Sequence, residues 1–297
     1  MIYFIVNPVS GSGKAAAAVP IVDRLMGESG RDYIFIYSES DKDYARIAGL
    51  INLDKAKALI CVGGDGTIQQ YCGLAIGRDL PFGVIPAGSG NDLLYSLPGG
   101  EKKFTGFEEK ITFYTQKVLK GSTIPIDAVA VNGDNYFVNI GGAGMDIQVL
   151  MDAIPLKKYF GGASYFLSLI KNAFLYKEEV MKLTVDGRSE TGRFLLLAVC
   201  NGAYYGGHMR IAPPASLDDG YITFCKVTNM PRLKLMVLFP SVKSGKHAQL
   251  KEVSFVNCSS VTMEFDGVKT INFDGNLLEF GSPLTFEIRK GALRFIL

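Results

Sequence analysis

Histidine is almost absent from this sequence. His208 and His247 are the only two, too sparse for a metal cluster or a catalytic triad, and His247 is expected in a polar loop. Cysteine pairs are missing as well. The five cysteines (Cys61, Cys72, Cys200, Cys225 and Cys258) show no Cys-x-x-Cys spacing, which points to buried free thiols in a cytosolic protein. There is no charge excess: 31 basic residues stand against 29 acidic ones, a net +2. That balance gives no reason to propose a nucleic-acid partner. No run of about 18 apolar residues occurs, so no transmembrane helix is expected. The start, Met-Ile-Tyr-Phe-Ile-Val-Asn-Pro, lacks the basic opening and cleavage site of a signal peptide and reads as a first strand. Internal repeats and low-complexity tracts are absent too; residues 15–18 form only a short helix-prone patch.

What is present is length and a core. The 297 residues, 48% hydrophobic, suffice for two modest domains. Up to residue 121 short apolar runs (2–6, 33–37, 58–62, 82–85) alternate with helical stretches (41–53, 67–76). That order implies an α/β domain with parallel pairing through right-handed crossovers. Glycines cluster just after the strands, where an open α/β sheet places its ligand crevice. From residue 122 to 297 the texture is antiparallel. Strand-like runs at 126–131, 136–140, 182–185, 194–199, 222–226, 261–265, 270–273 and 284–288 are separated by turn signals such as Asn132-Gly133 and Asp266-Gly267. A sandwich or barrel follows, interrupted by one long apolar helix over 162–176 and a shorter one after Pro231. The 162–176 helix reads as core, with part of it a candidate lining for an acyl chain. Residues 231–246 mix Arg232, Lys234, Lys243 and Lys246 with apolar residues, as a core helix or a membrane-surface helix would.

Three loops carry the chemistry. Gly63-Gly64-Asp65-Gly66-Thr67 follows a strand and opens a helix. Adjacent glycines let the backbone approach phosphate oxygens, and the helix start offers free N–H groups. Asp65 would repel a bare phosphate and makes sense beside Mg²⁺ or its water; a tight turn capped by Thr67 is the plainer alternative. The first loop, Asn7-Pro8-Val9-Ser10-Gly11-Ser12-Gly13-Lys14, resembles a Walker loop but has Pro8 at the first glycine position and Ala15 after the lysine. A third loop, Pro86-Ala87-Gly88-Ser89-Gly90-Asn91-Asp92, again follows a strand.

Together these loops resemble the diacylglycerol-kinase catalytic domain, and more closely the bacterial lipid kinases of that superfamily. The likeness continues through Ile126-Asp127, Phe137-Val138-Asn139-Ile140-Gly141, Asn201-Gly202, Ala212-Pro213-Pro214-Ala215-Ser216-Leu217-Asp218-Asp219-Gly220 and Gly245-Lys246-His247. It spans essentially the whole chain. It implies a nucleotide-binding α/β domain over residues 1–121 and a β-sandwich domain over 122–297, with the active site in the cleft between them. The last strand, from about residue 284, would return to the first domain. ATP contacts are implied for Asn7, Pro8, Val9, Ser10 and Gly11, for Ser40 (with Ser38 the other candidate), and for Ser89 and Asn91. The central loop and its helix, Gly63, Gly64, Asp65, Gly66, Thr67, Ile68, Gln69 and Gln70, would complete that site. Asp65, Asp92 and Asp127 match an acidic network holding catalytic Mg²⁺ through water, joined by Lys158 in preference to Lys157. The carbonyls of Ser216 and Tyr221 and the Asp219 carboxylate match a second, structural Mg²⁺ site, although spacing alone reads there as a β-turn.

One departure stands out. Where the family has Asp-Gly-Glu, with the glutamate as base, this chain has Asp274-Gly275-Asn276. An amide cannot serve as a base at neutral pH. Either Asp274 takes the proton, or the transfer needs little base help, or the chain binds nucleotide and turns over slowly. The leading expectation is an ATP-dependent lipid kinase acting on a diacylglycerol-like hydroxyl at the membrane surface. Such a protein would be cytoplasmic, peripheral at the inner face at most, with a homodimer left open. The alternatives are a weakly active nucleotide or lipid sensor, and an NAD kinase-like enzyme. The Asn-Pro start and the Ala-Pro…Asp-Asp-Gly segment argue against the last.

Overall fold

Every residue of strand β1 (Ile2–Val6) is apolar and buried, as a parallel strand covered on both faces must be. The computed structural model describes residues 1–40, 42–100, 102–160, 163–231, 234–235 and 241–297, without the side chains of 157, 158, 163, 165 and 166. Around β1 lie β2 (Tyr33–Tyr37) and β3 (Ala58–Gly63), and β3 pairs onward with β4 (Phe82–Pro86), all parallel. Successive side chains point to opposite faces. Phe4, Val6, Ile60 and Val62 meet helices α1 (Lys14–Glu28) and α5 (Phe107–Lys120) through Val22, Met26, Ile111 and Val118. Tyr3, Ile5, Leu59 and Cys61 face α2 (Tyr44–Leu50), α3 (Asp65–Cys72) and α4 (Asp92–Ser96), which contribute Ile47, Ile68, Tyr71, Leu93 and Leu94.

Strand β5 (Thr123–Val131) leads into an antiparallel sandwich. Its strands are β6 (Asn135–Phe137), β7 (Ile140–Gly144), β8 (Glu179–Val185), β9 (Arg188–Cys200), β10 (Ile222–Thr228), β11 (Val253–Cys258), β12 (Ser260–Glu264), β13 (Val268–Phe273) and β14 (Asn276–Gly281). The first half of β9 pairs with β8 and the second half with β7 and β10, so one long strand changes partners along its length. Between them pack Val129, Leu183, Phe224, Met263 and Phe286, with Phe137 and Phe273 stacked at 5.4 Å. Helices α6 (Met145–Phe160) and α7 (Ala163–Leu175) cover the outer face of β7, β9 and β10 through Val149, Leu169, Leu195 and Cys225.

The last strand, β15 (Leu284–Ile296), belongs to both halves. It pairs with β12 and β5, shifts register between Arg289 and Leu293, and reaches β4 at Phe295↔Phe82. The bulge leaves the Gly291 N–H without a ladder partner, and the buried Asp127 carboxylate accepts it at 2.6 Å.

Several elements differ from the sequence reading. The run expected as one strand over 136–140 is broken between β6 and β7. The Asp274 carboxylate draws the N–H groups of Val138, Asn139 and Ile140 out of the ladder. Helices α1, α5 and α6 and strands β11 and β14 were not expected. All five cysteines are buried free thiols. Most of the short helix expected after Pro231 lies outside the described residues; of that stretch, Lys234 pairs with Glu252 at 2.6 Å and Leu235 is buried. His247, expected in a polar loop, is only 2% exposed.

Candidate active site

Three glycine-bearing loops meet at the carboxyl ends of β1, β3 and β4. The Gly63 carbonyl accepts the N–H groups of Ala87 and Gly88 at 2.9 and 3.1 Å, and Asn7 N–H reaches Val62 O at 3.1 Å. Contact is backbone against backbone. A Cβ on Gly11 would sit 1.9 Å from the Ala87 carbonyl oxygen, and one on Gly88 would sit 2.3 Å from the Gly64 Cα. Glycine is required at both positions, and the close approach leaves main-chain groups, not side chains, at the surface of the cradle. Asn91, in the left-handed region at φ 57°, buttresses the third loop by bonding both Gly88 O and Gly88 N–H at 3.1 Å. Ser89 at its tip is exposed, as is Val9 in the first loop.

Carboxylates gather at the rim. Asp65 Oδ1 accepts the Leu93 N–H at 3.1 Å, so it caps α4 from another loop. Asp92, nearly buried, accepts the N–H groups of Gly207 at 3.0 Å and His208 at 2.6 Å, tying α4 to the second domain. A Cβ on Gly90 would lie 3.0 Å from Asp65 Oδ2 and 3.2 Å from Asp92 Oδ2, so the two carboxylates flank that glycine. Burial, and then the Asp92 charge, raise the Asp65 pKa. Asp274, 4% exposed and at φ 49°, accepts three N–H groups at 2.7–3.2 Å from residues 138–140. Burial pushes it up to about 7 against those donors, with Asp65 adding to the rise. Asp65 thus interacts with both neighbours: Asp92 adds to its rise, and it adds to that of Asp274.

Beside them opens a cleft of about 500 Å³, lined by Tyr44, Gln69, Gln70, Tyr136, Asn276 and Leu278 among others, within the range of small-molecule sites. Asn276 reaches across it: its Nδ2 donates to Gly66 O at 2.9 Å and Gln69 Oε1 at 2.6 Å. Thr67 and Ile68 are buried in the first turn of α3, where both N–H groups bond Gly64 O. Asn276, where the resemblance implies a base, thus packs against the central glycine loop.

Other expected residues fall elsewhere. Asp127 does not join Asp65 and Asp92 through any described contact. Its oxygens are taken by Gly220 N–H and Gly291 N–H, both at 2.6 Å, so it is a clamp between the 216–221 turn and β15. Ser40 Oγ accepts the Lys42 N–H ahead of α2, whereas Ser38 is buried and bonds Val6 O at the end of β1. In the turn itself, Ser216 bonds Asp218, Asp219 accepts the Tyr221 N–H, and burial together with Asp127 and Asp218 raises the Asp219 pKa. Lys290 runs across Gly220 and brings a positive charge to that turn. No cluster of three metal-ligating side chains occurs among the described residues. The Lys157 and Lys158 side chains lie outside the described residues.

Sequence reasoning missed Tyr44 and Tyr136 on the cleft wall and His208, whose Nε2 meets Gly90 O at 2.9 Å while its ring lies 3.9 Å from that of Tyr95. The His208 contacts join residues more than a hundred positions apart and Tyr136 meets Gln69 across 67, so no local pattern announces them.

A parallel sheet with three backbone loops at its crevice, sharing its last strand with an antiparallel sandwich, defines a two-domain protein of kinase type. Residues 1–131 match the diacylglycerol kinase catalytic domain and residues 139–297 the YegS C-terminal NAD kinase beta sandwich-like domain, and the chain belongs to the bacterial lipid kinase family built from this pair. The diacylglycerol kinase of Mycobacterium tuberculosis is 28% identical over 289 residues, covering 95% of this chain and 89% of that protein. A diacylglycerol kinase of Bacillus subtilis is 28% identical over 233 residues, covering 77% and 73%. A crystal structure of a diacylglycerol kinase from Bacillus anthracis shares the fold at a TM-score of 0.77 and 22% identity, over 99% of this chain and 96% of that one.

Proposed function

We propose that the chain transfers the γ-phosphoryl group of ATP to a lipid hydroxyl, with Mg²⁺ as the accompanying cation. The observation that carries this is the backbone cradle of the three loops with Asp65 and Asp92 at its rim. Mg²⁺ takes one or two carboxylates, filling its other positions with water and phosphate. Two hard-oxygen carboxylates flanking Gly90, with the Asp65 pKa raised by burial and then by the Asp92 charge, fit such an ion. Bound there, the cation would neutralise charge on the phosphate oxygens. The chain's own part is positioning. The glycine loops hold the phosphates against main-chain groups, and the cleft beside Gln69 and Gln70 takes the rest of the nucleotide. Asp274 is the carboxylate next to the cleft-lining Gly275 and Asn276, and burial raises its pKa to about 7; to take the hydroxyl proton one of its oxygens must first give up a backbone N–H donor of residues 138–140. The 216–221 turn is proposed as a structural cation site through the Ser216 and Tyr221 carbonyls and the Asp219 carboxylate, whose pKa is raised by burial and then by Asp127 and Asp218, with Lys290 alongside.

The acceptor's place at a membrane is supported by exposed apolar residues on the α6–α7 hairpin: Met151, Ile154, Tyr159, Phe160, Phe174 and Leu175. No helix among the described residues is long and apolar enough to cross a membrane; the association we propose is peripheral, through this hairpin. A sensor remains the second reading, favoured by Asn276 being bonded to Gly66 and Gln69 instead of presenting a base. The test is labelled ATP with Mg²⁺ and a lipid panel, alongside NAD as acceptor. Transfer to lipid is expected. Label on NAD alone would establish the NAD kinase alternative, and ATP binding with no transfer would establish the sensor.

A further inference from the structure

A cavity of about 350 Å³ opens in the α/β domain between α4, α5 and the sheet, within the range of small-molecule sites. Its inner wall is apolar, made by Val84 of β4, Leu94 and Leu97 at α4, and Phe295 of β15. It shares no lining residue with the catalytic cleft. A water's share of liquid volume is about 30 Å³, so the cavity has room for roughly ten groups of that size.

Its outer rim is cationic. Lys102 Nζ lies 4.6 Å from the centre of the Phe113 ring, and Lys117 Nζ lies 5.1 Å from the same centre. Phe104 and Tyr114 each pack against Phe113 at 5.3 Å and fix that ring in place. An aromatic ring attracts ammonium groups but neutralises none of their charge. Among the described residues neither lysine pairs with a carboxylate, including that of Leu297, which also lines the cavity. Glu109 is engaged with Thr105 at 2.6 and 2.9 Å, and Lys102 is the least of the influences that lower its pKa. Two like charges over one ring, with no counter-ion, favour an anion between them. The apolar interior behind them favours a hydrocarbon chain.

The wall at α4 connects this cavity with the catalytic rim. One residue before Leu94, the Leu93 N–H is the donor to Asp65 Oδ1. Asp92 accepts the Gly207 and His208 N–H groups, and Ser96 Oγ accepts that of Ala203 at 3.0 Å. A helix of five residues thus touches the cavity, the Asp65 carboxylate and the second domain. Val84 lies two residues before Pro86, where the third glycine loop begins.

We propose that this cavity binds a single-chain amphiphile with an anionic head, and that α4 carries its presence to the catalytic rim. The chain lies along Leu94, Leu97 and Phe295, and the head meets Lys102 and Lys117. A fatty acid and a single-chain lipid phosphate both supply that chemistry. The site is separate from the one where a nucleotide or an acceptor would react, so it goes beyond the lipid-kinase reading.

Binding is measured without ATP, on protein carrying ¹³C at leucine methyls and ¹⁵N at amides. The probes are decanoate, decyl phosphate and 1-decanol, each below its micelle-forming concentration. Dissociation constants are read from the Leu94 and Leu97 methyl signals, which separates this site from the cleft at Leu278 and the hairpin at Leu175. Both methyl signals and the Leu93 amide signal are expected to shift. The two anions should bind about three- to ten-fold more tightly than the alcohol, the worth of one or two partly exposed ion pairs, and should lose that lead at high salt. The tighter anion tells the fatty acid from the lipid phosphate. Combining Lys102→Gln with Lys117→Gln changes only the rim and should level the three affinities. Leu94 and Leu97 signals that never move, equal affinities in the parent, or a lead that survives the double variant overturn the proposal. A Leu93 amide that stays still while Leu94 and Leu97 move overturns the link to the rim. A chain inert as a kinase can still pass this test, and an active kinase can fail it.

Discussion

Asp274 shows how one residue answers to two opposing forces. Three N–H donors favour its ionised form, whereas burial and the Asp65 charge favour the proton, and the outcome is a pKa raised to about 7. A carboxyl that binds its proton more tightly in the fold stabilises it fully below the unfolded pKa near 4, and that stability is lost as pH rises through about 7. Asp65 and Asp146 are raised too and act in the same direction, so the comparison with Asp274→Asn isolates this residue. The parent should lose stability relative to the variant between pH 4 and 7 in thermal melts; a relative gain would mean that the N–H donors win. At constant pH, Asp274→Asn sets an amide NH₂ against backbone N–H groups and should cost on the order of 1–3 kcal/mol. It should also remove most turnover. Asp65→Asn differs in kind. Turnover should drop by about 10²–10³, with folding retained because Asn still offers an oxygen to the Leu93 N–H. Activity within a few-fold of the parent would take Asp65 out of the chemistry.

Among the elements, β15 and the 216–221 turn depend on Asp127. Its carboxylate is the partner of both Gly220 N–H and Gly291 N–H. Asp127→Ala should therefore lower the melting temperature with or without Mg²⁺. Asp219→Ala should behave otherwise. If the turn holds a cation, Mg²⁺ will raise the melting temperature of the parent by mass action but not that of the variant, and an equal response in both would leave a plain turn. These elements also mark how far the sequence could be read. The parallel half was legible because buried strands and their following glycines are local signals. Helix α6 was not, since Gly141-Gly142-Ala143-Gly144 before it and Pro155 within it argue locally against a helix. The break between β6 and β7 was hidden for another reason. It is imposed by Asp274, some 135 positions away. The direct partners of Asp127 were hidden on the same account: a carboxylate's type was visible, but the bulge at Gly291 and the turn at Gly220 that bond it were not.

For the whole molecule, the deciding contact is the one Asn276 makes between the halves. It enters from the β13–β14 turn of the sandwich and binds Gly66 O and Gln69 Oε1 on the α/β side. Both partners are acceptors here, because the Gln69 Nε2 is committed to Tyr136 O at 3.2 Å. A glutamate in this place would set a carboxylate against two oxygens, and a Cβ on Gly66 would already lie 2.9 Å from Asn276 Oδ1, so there is little room to turn away. Asn276→Glu is thus expected to pry the cleft open instead of restoring a base. Steady-state turnover on the best lipid should fall below the parent by roughly ten-fold or more, about the effect of losing one or two hydrogen bonds and adding a repulsion. ATP affinity should weaken with it, since the same loop carries Gly64–Thr67. Adding Gln69→Lys to the glutamate variant supplies a cation where the amide stood and should recover much of the nucleotide affinity. The measurement is initial rate and ATP dissociation constant for parent, single and double variants. A single Asn276→Glu variant that outruns the parent would mean that the missing glutamate was the essential base after all, and that the chain with Asn276 is a weakened kinase.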